Sequence, residues 1–419
     1  MSGTGTKLRE VISPRGRVAL AAGAGARWAS RVTGRGAGAM IGGLVSMTLD
    51  KSILRQLGRD RRSVVVTGTN GKSNTTRMTA AALATVGPVA TNAEGANMDA
   101  GLVAALASSR KAGLAALEVD EMHVPHVSDA VDPAVIVLLN LSRDQLDRVG
   151  EINHIERTLR AGLARHSSAV VVANCDDVLM TSAAYDCPNV LWVAAGGGWA
   201  NDSVSCPRSG EIIVREGTDW HSTGTDFKRP SPQWWFDDDF LYGPDGLALP
   251  MQLSLPGTVN RGNAAQAVAA AVVLGASPAE AVAAVSLVDE VAGRYRTVRL
   301  GAHTVRVLLA KNPAGWQEAL SMIDKQAAGV VISVNGQVPD GEDLSWLWDV
   351  RFEHFEGTQV VAAGERGTDL AVRLGYAGVE HSLVHDTVKA IASCPPGHVE
   401  VLANYTAFLS LNRVLEKMA

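Results

Sequence analysis

Hydrophobic positions along this chain follow two alternating rhythms. Between 63 and about 174, short runs rich in Val, Leu and Ala are separated by stretches with helical spacing. The runs fall at 64–67, 88–91, 114–119, 135–140 and 169–174. Each is nearly continuous in apolar residues, as strands of a parallel sheet buried on both faces must be. The alternation predicts an α/β sheet whose polar chemistry gathers at the carboxyl ends of the strands. From about 194 to 246 the pattern breaks. Gly196-Gly197-Gly198, many Asp, Ser and Thr, and the pair Trp234-Trp235 predict an antiparallel insertion with long loops. Helical spacing returns at 260–287, and Gly293-Arg294-Tyr295-Arg296-Thr297 reads as a hinge. A second α/β unit is expected beyond it, with strands at 305–310, 329–334, 359–363 and 399–403.

Length sharpens this picture. At 419 residues the chain exceeds one ordinary core, so two or three domains are the prior, and the pattern divides it at 1–296 (with the insertion at 194–246) and 297–419. Hydrophobic residues at 47% and charged residues at 19% describe a globular chain with ample core. A net charge of −5 leaves no electrostatic footprint for nucleic acid. The cysteines at 175, 187, 206 and 394 form no Cys-x-x-Cys pair, which points to a reduced, cytoplasmic setting. No apolar leader with a cleavage site opens the sequence, so secretion is not expected. The apolar stretch 36–47 is shorter than the roughly 20 residues that span a bilayer, and reads as a packed helix or loop. Arg31 and Arg35 precede it, which leaves a peripheral membrane-facing role open. Residues 1–40 match no strong pattern.

Candidate chemistry begins directly after the first run, at Thr67-Gly68-Thr69-Asn70-Gly71-Lys72-Ser73-Asn74-Thr75-Thr76. A branched strand enters this loop and a helical pattern leaves it. In that context glycines let backbone N–H groups converge on phosphate oxygens, Lys72 supplies a cation and Ser73 offers magnesium a hydroxyl. The general P-loop pattern has glycine where this chain has Val66. A nucleoside triphosphate is the expected ligand. Glu118, closing the third run, lies where a carboxylate can hold magnesium together with Ser73. Asp120 and Glu121 beyond it read as solvated groups or as groups supporting the residues that touch the ligand. Asn140-Leu141-Ser142-Arg143-Asp144-Gln145-Leu146-Asp147 follows the fourth run. Its Asn and Asp residues suit turns and caps as well as they suit a γ-phosphate, a metal or an acceptor.

These motifs together resemble the ATP-dependent Mur ligases. The likeness rests on Gly68-Thr69-Asn70-Gly71-Lys72-Ser73, Glu118, Asn140-xxx-Asp144-Gln145-Leu146-Asp147, and Gly257-Thr258-Val259-Asn260-Arg261-Gly262-Asn263, with Gly293-Arg294 at the hinge. Most Mur ligases carry His where this chain has Gln145. That change, with Thr91-Asn92-Ala93-Glu94-Gly95-Ala96-Asn97-Met98, resembles the MurT branch. So do Leu308-Leu309-Ala310-Lys311-Asn312-Pro313-Ala314-Gly315 and the block Asp340-Gly341-Glu342-Asp343-Leu344-Ser345-Trp346-Leu347-Trp348-Asp349-Val350-Arg351-Phe352-Glu353. The likeness runs from about 40 to the C-terminus, apart from the insertion.

The resemblance implies an ATP-dependent C–N ligase using magnesium, with a Mur-type P-loop domain followed by a C-terminal α/β domain. It implies a heterodimer with a GatD-type glutaminase and amidation of the D-glutamate α-carboxylate in the lipid II stem peptide, at the inner face of the membrane. ATP would activate that carboxylate as an acyl phosphate, ammonia would attack it, and domain closure would exclude water. By resemblance Asn260 would contact adenine, Arg294 would reach the nucleotide, and Asn74 would belong to the phosphate loop. Thr91, Asn92, Asn97, Asn140 and Asp144 would face the substrate. Asp349 would orient the partner's catalytic histidine, as triad logic split between two chains. A local cap is what an Asp at a helix end otherwise makes, and Trp346 and Trp348 suit an interface or a core.

Two departures from the family pattern carry expectations of their own. MurT relatives often hold zinc between two Cys-Pro-x-Cys-Gly knuckles. Here Cys206-Pro207-Arg208-Ser209-Gly210 has lost one thiol, and Phe227-Lys228-Arg229-Pro230 lacks its Cys pair. One thiolate cannot build a four-ligand site, so a zinc-free ribbon remnant is expected. Many Mur ligases also use a carbamylated lysine. Between Lys111 and Lys311 this chain has only Lys228, so no carbamate is expected. His123 and His126 read as capping or substrate-contacting residues. Another amide ligase of this architecture, such as a folylpolyglutamate synthase-like enzyme, and a non-catalytic ATP-binding module remain the alternatives.

Overall fold

In a computed structural model, residues 12–33, 39–92, 96–143, 149–197, 200–289, 295–341, 343–353, 355 and 358–418 are described. They form two compact units, the first drawn from Met1–Leu141 and Ile152–Asp289, the second from Ser142–Glu151 and Glu290–Ala419.

The first unit opens with three helices, α1 (Pro14–Val32), α2 (Ala39–Leu49) and α3 (Ile53–Gly58). Ser13 starts α1 by accepting a hydrogen bond from the Gly16 amide, with Pro14 at the first helical position. Alternation then follows as β1 (Arg62–Thr67), α4 (Lys72–Ala84), β2 (Val89–Thr91), α5 (Asp99–Ser108), β3 (Leu114–Glu118) and α6 (Val124–Val131). It continues through β4 (Val135–Leu138), α7 (Val149–Leu163), β5 (Val170–Asn174), α8 (Val178–Ala184) and β6 (Val190–Val193). All six strands are parallel, in the order β2-β3-β1-β4-β5-β6. The central strands β1, β3 and β4 are buried almost throughout, which is why their sequences lack polar alternation. The sheet differs from expectation in that the fourth strand stops at Leu138, leaving Asn140 in the loop beyond it, and β6 is an additional strand.

The insertion is antiparallel. It contains the hairpin β7 (Ile213–Glu216) and β8 (Asp219–Ser222), then the three-stranded sheet β9 (Trp235–Phe236), β10 (Phe240–Tyr242) and β11 (Ala248–Pro250). Its last strand therefore lies beyond 246. Cys206 packs with Val178, Ile213, Trp220 and Phe227 in a small apolar cluster, and Arg229 ties the insertion to Asp176 at 2.7 Å. Helices α9 (Thr258–Val273) and α10 (Pro278–Ser286) complete the unit.

The second unit begins with β12 (Tyr295–Leu300) and β13 (His303–Leu309), antiparallel to each other. Tyr295-Arg296-Thr297 thus starts a strand, while Gly293 and Arg294 lie outside the described residues. Then come α11 (Pro313–Ser321), β14 (Gly329–Ser333), β15 (Val360–Ala363), α12 (Gly367–Tyr376), β16 (His381–Leu383), α13 (Thr387–Ser393), β17 (Gly397–Ala403) and α14 (Tyr405–Met418). The sheet order is β12-β13-β17-β14-β15-β16, parallel except at the first pair.

Candidate active site

The phosphate loop is shaped by its neighbours before any ligand enters. Gly68 (φ 146°) and Gly71 (φ 84°) occupy backbone conformations that L side chains rarely adopt. A Cβ on Gly68 would lie 2.8 Å from that of Leu139, and one on Gly71 2.8 Å from Asn263 Oδ1. Asn140 then clamps the loop. Its Oδ1 accepts from the Asn70 amide at 2.9 Å, its Nδ2 donates to the Asn70 carbonyl at 3.0 Å, and its own carbonyl accepts from the Thr69 amide at 2.8 Å.

Lys72 opens α4, and its ammonium donates to the carbonyls of Gly68 and Thr69. It also lies 3.3 Å from Glu121. Both residues are buried, so of the two places the sequence left open for Glu121 it takes the one behind the ligand-facing lysine and not the solvated one. Periodicity alone does not choose between those two places for a loop carboxylate. Parallel pairing sets Glu118 beside Val66, one residue before the end of β1. Its carboxylate is buried and Oε2 has no hydrogen-bond partner among the described residues. Asn92 staples the same point, accepting from the Glu118 amide and donating to its carbonyl, both at 2.8 Å. Thr91 ends β2 with its Oγ1 also buried and unpartnered, and the Asn97 carbonyl accepts from the Asp120 amide at 3.2 Å.

An orphaned carboxylate oxygen beside the loop suits a hard cation that takes one protein carboxylate, the Ser73 hydroxyl and phosphate oxygens. Magnesium fits that donor set. No cluster of three or more His, Cys, Asp or Glu able to hold a metal occurs among the described residues. His126 bonds Asp99 at 2.9 Å, and His123 approaches the same carboxylate at 3.8 Å.

Helix α9 closes under the loop. Asn260 is fully buried, its Oδ1 accepting from Asn74 at 2.8 Å and its Nδ2 donating to the Pro256 carbonyl at 2.6 Å. It is therefore engaged between helices α9 and α4 rather than presented at a surface. Gln266 anchors the same helix to the Leu138 carbonyl at 2.9 Å. Asp177 caps α8 through the Met180 amide and holds the Leu141 amide at 3.1 Å. Burial pushes its carboxyl up to about 6, against the hydrogen bonds it accepts. Asp144, Gln145, Arg294 and the segment 93–95 lie outside the described residues.

In the second unit Asp349 ends a short 3-10 turn, Ser345–Trp348. Its Oδ2 is buried without a hydrogen-bond partner among the described residues, 4.0 Å from Arg143 Nη2. Arg373 positions the segment, donating to the carbonyls of Leu347 at 3.1 Å and Val350 at 2.7 Å. The two tryptophans divide. Trp346 stacks on buried Trp316, whereas Trp348 is 56% exposed and meets the exposed Tyr376 edge-on.

A phosphate loop on a six-stranded parallel sheet, followed by a second α/β unit, is the architecture of the Mur ligases. Solved structures agree: a pseudomurein peptide ligase type C from Methanothermus fervidus superposes with TM-score 0.67 at 17% identity, over 86% of this chain and 79% of that one. MurF from Acinetobacter baumannii gives 0.63 at 17% identity, over 89% and 80%. At such identities the likeness is of fold alone. Residues 66–271 match the Mur ligase middle domain, and residues 309–408 match the MurT ligase C-terminal domain. The MurT subunit of lipid II isoglutaminyl synthase (glutamine-hydrolyzing) from Streptococcus pneumoniae is 30% identical over 416 residues, covering 91% of this chain and 93% of that protein. Its Staphylococcus aureus counterpart is 28% identical over 426 residues, covering 94% and 95%. The chain belongs to the MurT family.

Proposed function

We propose that this chain is the ATP-consuming subunit of a lipid II isoglutaminyl synthase, converting the D-glutamate α-carboxylate of the stem peptide into an amide. The reading is supported by the coexistence of a glycine loop clamped by Asn140, with Lys72 and Glu118 beside it, and an Asp349 Oδ2 buried without a hydrogen-bond partner among the described residues of a MurT-type second unit.

A carboxylate is a poor electrophile. One of its oxygens attacks the γ-phosphorus of ATP, ADP leaves, and the resulting acyl phosphate accepts ammonia at its carbonyl carbon, with loss of phosphate and a proton. The loop amides and Lys72 neutralise the charge that develops on the transferred phosphoryl group. To do so Lys72 exchanges Glu121 for phosphate. Magnesium, held by Ser73 and Glu118, would lend Lewis acidity to the phosphoryl oxygens. Thr91, Asn92, Asn97 and Asp144 are assigned to the substrate side, Arg294 to the nucleotide. Asn140 and Asn260 act by shaping the loop and the helix beneath it.

Ammonia comes from a GatD-type glutaminase in this reading. Asp349, held by Arg373 beside the exposed aromatics Trp348 and Tyr376, is suited to accept a hydrogen bond from that partner's catalytic imidazole. The lipid-linked substrate sets the site of action at the cytoplasmic face of the membrane. The test is incubation of the full chain with ATP, magnesium, lipid II and ammonium. Amide formation coupled to ADP release is expected, and ATP turnover without amide would overturn the assignment.

A further inference from the structure

Helix α1 is apolar on two opposite faces. One face, carrying Gly16, Ala19, Leu20, Gly23 and Ser30, is buried. It packs on α2 at van der Waals limits: a Cβ on Gly23 would lie 2.5 Å from the Gly42 carbonyl oxygen, and one on Gly42 2.7 Å from that of Gly23. Ser46 locks the pair by donating to the carbonyls of Ala19 and Gly42. Helix α2 is pressed equally closely onto α5, where a Cβ on Gly43 would collide with the Ala100 carbonyl. The hairpin is thus rigidly mounted.

The opposite face of α1 is bare. Val18, Ala21, Gly25, Trp28 and Val32 recur every three or four residues and are all exposed, Val18 at 66% and Trp28 at 68%. Helix α2 adds exposed Met40, Ile41 and Leu44, the last at 61%. Arg15, Arg17 and Arg31 are exposed beside this stripe, Arg27 is half-buried, and α1 and α2 carry no carboxylate. In a chain of net charge −5 the hairpin is therefore a cationic, apolar exception.

We propose that the α1–α2 hairpin is a membrane-docking surface that lies on an anionic phospholipid bilayer. Charge complementarity selects the occupant: a stripe of aliphatic residues and one tryptophan, bordered by arginines on two helices that contain no acidic residue, matches acyl chains bordered by phosphodiester headgroups. No described helix is long and apolar enough to cross a membrane, so the hairpin lies in the interface plane. Trp28 sits in the stripe where an amphipathic ring meets the headgroup level. The surface is independent of the amidation reading, because it recognises bulk lipid.

Flotation of the full chain tests this, using vesicles of phosphatidylcholine alone and vesicles mixed equally with phosphatidylglycerol, both free of lipid-linked substrate. Binding is expected only to the mixed vesicles, and it should weaken as salt is raised. The double substitution Trp28→Ser with Leu44→Ser should cut partitioning by about tenfold or more, and Arg31→Glu should weaken it and flatten the salt dependence. Circular dichroism confirms that the exposed-site variants remain folded. A blue shift of emission on mixed vesicles should be lost in Trp28→Phe. Failure of the native chain to float, equal binding to neutral vesicles, or undiminished binding by the double variant would each overturn the proposal. Those results would leave amidation of solubilised lipid II unaffected.

Discussion

The ammonium of Lys72 and the carboxylate of Glu121 face each other at 3.3 Å, each nearly closed to solvent. On the proposed function, the pair holds the lysine where nucleotide phosphates would bind. Glu121→Gln removes this competitor. ATP affinity should therefore rise by up to about tenfold, roughly 1.4 kcal/mol, in a titration with a non-hydrolysable analogue. Weaker binding would mean that Glu121 aims the lysine rather than competing for it. Lys72→Met leaves the carboxylate buried alone, which should cost about 3 kcal/mol of stability besides abolishing turnover.

Glu118 makes a complementary case. Its Oε2 is buried without a partner among the described residues, so a neutral amide there should not lower the melting temperature. The same Glu118→Gln change should raise the magnesium concentration needed for ATP turnover by at least about tenfold. A lower melting temperature with unchanged magnesium dependence would make the residue structural.

Asp349→Asn separates the two sources of nitrogen. Glutamine-dependent amidation by the complex should fall by about a hundredfold or more, while ammonia-dependent amidation by this chain should stay within about twofold. Equal loss with both donors would place Asp349 in the synthase chemistry instead.

Asp177 supplies a pH signature. Burial raises its carboxyl from 3.8 to about 6 in the folded protein. The folded state then holds a proton that the unfolded chain releases, so this contribution to stability is complete below about pH 4 and lost as pH rises through about 6. Relative to Asp177→Asn, native stability should decline across that window by at most about 3 kcal/mol and level off above it. Paired chemical denaturation curves measure the difference, and a parallel pH dependence would show that the carboxyl titrates normally.

The strands that carry chemistry were legible because a buried parallel strand cannot be polar, and the phosphate loop announces itself between β1 and α4. Edge elements were not. Val190-Leu191-Trp192-Val193 is a continuous apolar run yet mostly half-buried at the sheet edge, and was passed over, while His381-Ser382-Leu383 is largely exposed and has no apolar signature. Helix α1 was missed although Ser13-Pro14 is a helix start, because Gly and Ala on the buried face and apolar residues on the bare one blur its period. Glu121, Gln266 and Arg373 act through backbone carbonyls or through a residue distant in sequence. No spacing rule encodes such partners. Asn260 illustrates the converse, since its motif is readable while the groups its amide engages are visible only in three dimensions.

The Asn140 clamp has a thermodynamic corollary. A glycine-containing loop free in solution would surrender much conformational freedom on enclosing a triphosphate. Here Asn140, just beyond the neighbouring strand β4, grips the loop at Thr69 and Asn70, so that loss is incurred during folding rather than at each binding event. Replacing Asn140 by alanine should consequently surface as a more unfavourable binding entropy for nucleotide, with the binding enthalpy little altered: a receptor that must be assembled anew for every turnover.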